Sequence, residues 1–314
     1  GEANHERIQN RRDYFTIPRR IVAPTGADEP YIYSRETHYG ASDHMVFNDW
    51  GVGVPGIMMI AWPDQWYHTS GDRIDKSDPT QMKRIAIIGA AGAYTIASAD
   101  DDMAMRLASE TASNGARRLG HQLMMGLERL NNATAEDLLD SYKWARAHVE
   151  ASVMNERATL GTILELADDT ERVGEDVEEM QGMIEQVGEG HLGVLETHMG
   201  AVATKLGTQP VRIRLTDLER DASRMVPRPT NLDKQDGYGG WREYLNSVPA
   251  EARSQYPYGS GAISNTSELN LLINGQNSVL DIKKMLDGQN RTTSDLQAIL
   301  NYIEVLKLAG LVEM

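Results

Sequence analysis

Two short stretches set a histidine and an aspartate among small residues. The first is Tyr39-Gly40-Ala41-Ser42-Asp43-His44-Met45-Val46-Phe47, and the second is Trp66-Tyr67-His68-Thr69-Ser70-Gly71-Asp72. Neutral imidazole is a common zinc ligand, and a neighbouring carboxylate fixes the orientation of its ring. A loop histidine also has a plainer reading, as a structural or solvent-facing group. Spacing alone favours packing for Tyr39 and Tyr67. The other histidines carry less. His191 and His198 are seven residues apart, two helical turns, too far to share one metal ion. His5, His38, His121 and His148 are scattered along the chain.

The elements that must position the two stretches follow from local pattern. Pro18, Pro24, Gly26 and Pro30 break the start of the chain into short extended pieces. Val54–Trp62 is an apolar run closed by Pro63-Asp64, which predicts a buried strand followed by a loop. His68 then lies just beyond a strand end, at the sheet edge where α/β proteins build their sites. Asp78 before Pro79 predicts a capped helix over the apolar Met82–Ala99. Residues 1–100 therefore read as α/β.

Residues 101–206 are poor in aromatics and rich in Ala, Met, Leu and Glu. Turns at Asn131–Thr134 and Asp168–Thr170 divide them into three helices, a helical bundle. The third helix has a heptad-like seam at Val173, Val177, Met180, Ile184, Val187, His191 and Val194. The second offers Leu138, Tyr142, Ala145, Val149 and Val153. Helices of this length suggest oligomerisation. Residues 207–266 carry many prolines and glycines and read as a linker wrapping another surface. Residues 267–314 read as three short helices and a final strand, capped at Ser278 and Ser294, which suggests a winged-helix-like module.

The chain has 314 residues, 31 basic against 46 acidic, for a net charge of −15. Such a chain repels nucleic-acid phosphates. Residues 267–314 share this bias, with four basic and six acidic side chains, so their expected partner is protein. Cysteine is absent, which excludes disulfides and thiolate chemistry. No apolar run has the length of a membrane span. Asp168–Glu189 holds nine carboxylates and one arginine. It lacks the alternating loop of a calcium site and reads as a solvated helix face.

In order along the chain stand S-D-H-x-x-F, V-P-x-I-M, Y-H-T-S-x-D, D-P and an Ala/Gly-rich helix. Over roughly residues 30–100 this resembles the C-terminal part of the zinc peptidase family that includes the co-catalytic di-zinc aminopeptidases, glutamate carboxypeptidase and the transferrin receptor ectodomain. A subset of that family ends in a winged-helix-like module with an I-N-G-x-x-S-V-x-D-I motif, and Ile273–Ile282 matches it. The resemblance implies that His68 is a zinc ligand and that Tyr39 donates its phenol to the oxyanion. It also implies that Ser42 and Asp43 border the site and that Asp72 holds the histidine loop. Two zinc ions and a peptide substrate cleaved at its N-terminal bond are implied with them.

The chain departs from the family upstream. It has no His-x-Asp, and its one Glu-Glu pair, Glu178-Glu179, lies far downstream on the acidic helix. One expected ligand is thus present, so a missing upstream segment or a complementary chain is expected to supply the others. The start at Gly1 suggests a processed or truncated product. The resemblance alone favours a secreted or periplasmic location. The competing expectation is a non-catalytic oligomeric scaffold that keeps the peptidase fold.

Overall fold

Three long helices dominate, for the reasons the turns suggest. The computed structural model describes residues 42–290 and 293–314. Helix α1 spans His44–Asn48 and α2 spans Pro79–Ala97; α3 (Asp101–Asn131), α4 (Leu138–Gly161) and α5 (Thr170–Lys205) form an antiparallel bundle. Side chains satisfy the free N–H groups at three helix starts. Asp78 accepts from Thr80 N, Asp100 from Met103 N, and Asp169 from Arg172 N. Asp101 ties the bundle ends together. It accepts from the amides of Asp168 and Asp169 and pairs with Arg172. The Asp169 amide bond, then the Arg172 guanidinium, hold its carboxyl below the usual range.

The bundle core has two centres. One gathers Leu130, Leu138, Tyr142, Ala145, Val149, Leu195 and Met199, and the other Ala104, Ala108, Leu119, Leu160, Val173, Val177 and Ile184. The seam on α5 drifts. Val173, Val177 and Ile184 are buried as expected, but beyond them the buried face runs through Gly188, Leu195, Met199 and Val202, while Val194 is 46% exposed. A straight helix turns 3.6 residues per turn, so a 3.5-residue stripe rotates out of the interface over a few heptads. His191, on the edge of that stripe, is half-buried, and desolvation lowers its pKa. Between the two centres Arg118 clamps the buried Glu156 with two bonds of 2.6 Å.

The remaining α-helices and strands follow, and most of them contribute to a third core. They are α6 (Asp217–Ala222), β1 (Arg228–Pro229), α7 (Trp241–Ser247), α8 (Ala250–Arg253), α9 (Thr266–Leu272), α10 (Val279–Asn290), α11 (Leu296–Leu308) and β2 (Val312–Glu313). β1 and β2 pair antiparallel, Arg228 opposite Glu313. α10 sits against α4, where Gly288 leaves only 2.6 Å between a would-be Cβ and that of Ala151, and Lys284 pairs with Glu150. Ser278 caps α10 as expected, bonding reciprocally with Asp281. The cap of α11 is Asp295, not Ser294. Ser294 is buried, its amide donating to Asp287 and its hydroxyl bonding Ser264, so tertiary contacts claim it.

The expected peptidase-like sheet is not present among the described residues, whose only ladder is β1–β2. Val54–Trp62 forms neither helix nor strand, and Ile57 and Trp62 stand 80% and 61% exposed. A strand forms its ladder only against neighbours, and none lies beside this one among the described residues. The architecture described is therefore mostly helical.

Two outcomes follow from the packing. A methyl added at Gly188 would fall inside the contact shell of Val153 Cγ2, and a β-branched neighbour yields little. Gly188→Ala should destabilise the bundle by about 1–3 kcal/mol in urea unfolding. Tyr302, 2% exposed, donates to Asn270 Oδ1 at 3.1 Å, and burial pushes its pKa from 10.0 up to about 12. Between these values the unfolded chain binds fewer protons than the folded one, so stability falls as pH rises through the window. Tyr302→Phe should flatten that alkaline loss while costing about 1–2 kcal/mol near neutral pH, measured by urea midpoints at both pH values.

Candidate functional site

The S-D-H motif opens α1. Ser42 and Asp43 are exposed, and their carbonyls accept from Met45 N at 3.0 Å and Val46 N at 3.1 Å. Tyr39 lies outside the described residues, so no geometry attaches to it. α1 buries none of its own five residues. It is held at its C-terminal end instead. Asn48 brackets Gly56, giving an N–H to its carbonyl at 2.8 Å and accepting its amide at 2.6 Å. The next three residues, Asp49, Trp50 and Gly51, are buried.

Those three residues belong to the C-terminal core. Trp50 packs edge-on against Trp241, with ring centroids 5.8 Å apart. Asp49 accepts from the Gly51 and Gly239 amides, each at 3.0 Å, and from the Trp241 indole N–H at 3.2 Å, and it pairs with Arg242 at 3.0 Å. Gly51 lies so close to the Gly237 carbonyl that a Cβ there would collide with it. Beside this contact, Asp233 is 1% exposed and neither of its carboxylate oxygens has a hydrogen-bond partner. Burial pushes its pKa up.

The histidine loop is a chain of tight turns, and residue types explain each link. Asp64 Oδ1 accepts from Trp66 N, the Asx geometry that starts turns. Thr69 gives both its amide and its hydroxyl to the Trp66 carbonyl, and its Oγ1 accepts from Gly71 N. Asp72 N donates to the Thr69 carbonyl. Lys76 sits over the Trp66 ring at 4.7 Å. His68 occupies the left-handed region at φ 59°, where a residue with a Cβ is held at a cost of about 1–3 kcal/mol. Its imidazole stacks on Tyr67 at 3.8 Å, and the residue is exposed. Sequence reasoning found this loop but not the strained backbone at its histidine, which no local signal announces.

The described residues therefore carry one exposed imidazole on a hydrogen-bonded loop and a helix start at which Ser42 and Asp43 are exposed. Among them no three His, Asp or Glu side chains converge on a point where a metal ion could sit. Glu178 and Glu179 are exposed on α5, on the solvated face the charge pattern suggests. His198 bonds Asn131 at 2.8 Å. Among the described residues, no helix is long and apolar enough to cross a membrane.

No curated protein and no solved structure matches the chain. Residues 6–92 match the family model described as Peptidase family M28, a match that takes in Tyr39, the S-D-H motif, the histidine loop and most of α2. What that match supports is a zinc-metallopeptidase-like segment at the start of a chain whose bundle and C-terminal core lie outside it.

Proposed function

We propose that the chain is part of a zinc-dependent aminopeptidase, a hydrolase acting at the N-terminal bond of peptides, and that it carries only a portion of the active site. The observation behind this reading is the histidine loop. His68 is exposed, braced by Asp64 and Thr69, and held in a strained backbone conformation inside the segment that matches the peptidase family. Strained residues concentrate where a side chain must point in one direction.

In this reading His68 is the zinc ligand the chain supplies, and Tyr39 donates to the oxyanion. Ser42 and Asp43 border the site, and Asp72 closes the turn behind the histidine. Two zinc ions would belong to the complete site. The described residues do not fit even one ion on their own, because a catalytic zinc takes three protein ligands. Further ligands would come from polypeptide outside the described residues, upstream in the chain or on a complementary one. The bare surfaces of Val54–Trp62 and α2 support this: α2 has no buried residue, and Ile57, Ile87 and Tyr94 stand 80%, 58% and 75% exposed. A helix apolar on all sides is one that a larger core covers.

Zinc titration of the chain, read by histidine-ring NMR, tests the assignment. Of the 8 histidines, His68 should shift first, with a micromolar or weaker affinity that His68→Ala weakens by about tenfold or more. A titration in which His68 does not respond sinks the ligand assignment. A nanomolar site lost in His68→Ala would instead show that the chain is more complete than proposed.

A second reading, an oligomeric scaffold derived from the peptidase fold, draws on the bundle. Met124, Met183 and Val194 are 56%, 53% and 46% exposed on α3 and α5, and adaptable apolar side chains suit partner surfaces. Under this reading sedimentation velocity of the full chain should give a dimer or larger species that Met183→Glu shifts toward monomer. A monomer at all concentrations would remove it. The winged-helix-like end is proposed to pack on protein in either reading. A secreted or periplasmic location is proposed from the family resemblance.

A further inference from the structure

α1 is too short to hold itself together, since isolated helices of even two or three turns are marginal in water. It buries none of its residues, and Val46 and Phe47 are 39% and 51% exposed. The residues that follow it hold its C-terminal end, where Asn48 brackets Gly56 and Asp49 is buried. The side chain of Asp49 is 3% exposed. Apart from the Gly51 amide, its partners all come from residues 239–242, about 190 positions further along the chain. Trp50 joins the C-terminal core, whose other members include Leu269, Ile282, Ile299 and Leu311.

We propose that Asp49 is a positioning residue. Through its carboxylate, the segment carrying Gly239, Trp241 and Arg242 sets where α1 lies, and with it Ser42 and Asp43. The C-terminal core is then a working part of the S-D-H site and not an appendage to it. The meaning given to the motif rests on the peptidase reading, but the mechanical coupling does not.

Hydrogen–deuterium exchange on the full chain tests the coupling, with Asp49→Ala, Asp49→Asn and Trp241→Phe. In Asp49→Ala, amides in residues 44–56 should exchange about tenfold faster or more, while residues 138–161 and 296–308 keep their protection. Trp241→Phe removes one donor from the far side and should loosen residues 44–56 several-fold, since coupling is reciprocal. Asp49→Asn keeps an acceptor oxygen for the two amides and the indole, and should recover most of the protection. Unchanged exchange over 44–56 overturns the proposal. So does a uniform rise across all helices, which would make Asp49 a general stability residue. Should Asp49→Ala fail to fold, the other two variants carry the same comparison. The readout needs neither metal nor peptidase activity, so its failure leaves the zinc titration of His68 standing, and the converse holds.

Discussion

A buried carboxylate that gathers four donors joins two segments of this chain about 190 residues apart. Asp49 takes the amides of Gly51 and Gly239, the Trp241 indole and the Arg242 guanidinium. Burying a lone carboxylate is prohibitive, and charge-assisted bonds in good geometry offset that penalty. Removing one partner of a buried pair typically costs about 3–5 kcal/mol. The figure is smaller here, because Arg242 stays 42% exposed and water can take up its charge. The arrangement also carries Trp50 into the C-terminal core. Without it, the peptidase-like segment would be attached to the rest of the described unit mainly through the chain leading into α3.

The two halves of the molecule obey different rules. The bundle is self-sufficient. Asp100 and Asp169 cap two of its three helices, its apolar faces meet, and its one buried carboxylate, Glu156, is matched bidentately by Arg118. The segment from Val54 to Ala97 is the reverse, with large apolar side chains such as Ile57, Trp62, Ile87 and Tyr94 exposed and little to cover them. Hydrophobic burial scales with area removed from water, so such a segment gains its stabilisation only from a larger core. The histidine loop within it is nonetheless ordered by local bonds alone, through Asp64, Thr69 and the Trp66 carbonyl.

Legibility followed the range of the forces. The bundle turns, the Asp78 and Ser278 caps and the terminal strand were readable because each depends on residues within a few positions. The α5 seam was readable only at its start, because a small mismatch in period accumulates along a helix. Ser294 was misread as a cap since its partners, Ser264 and Asp287, lie 30 and 7 residues away. The Val54–Trp62 strand was misread because a strand exists only where another runs beside it. At the site, the histidine loop was visible as a motif, whereas Asp49 was not singled out. An aspartate between two motif residues carries no local sign that its donors lie near position 240.

By itself the sequence determined α2, the three bundle helices and the three helices that end the chain, where the acidic face lies, and which histidine stands in a peptidase-like loop. These rest on local periodicity, capping and motif spacing, all of which act over a few residues. The tertiary structure alone decided that the loop after the S-D-H motif inserts into the C-terminal core. That insertion depends on hydrogen bonds and packing whose partners, near position 240, meet Asp49 and Trp50 only when the chain is folded.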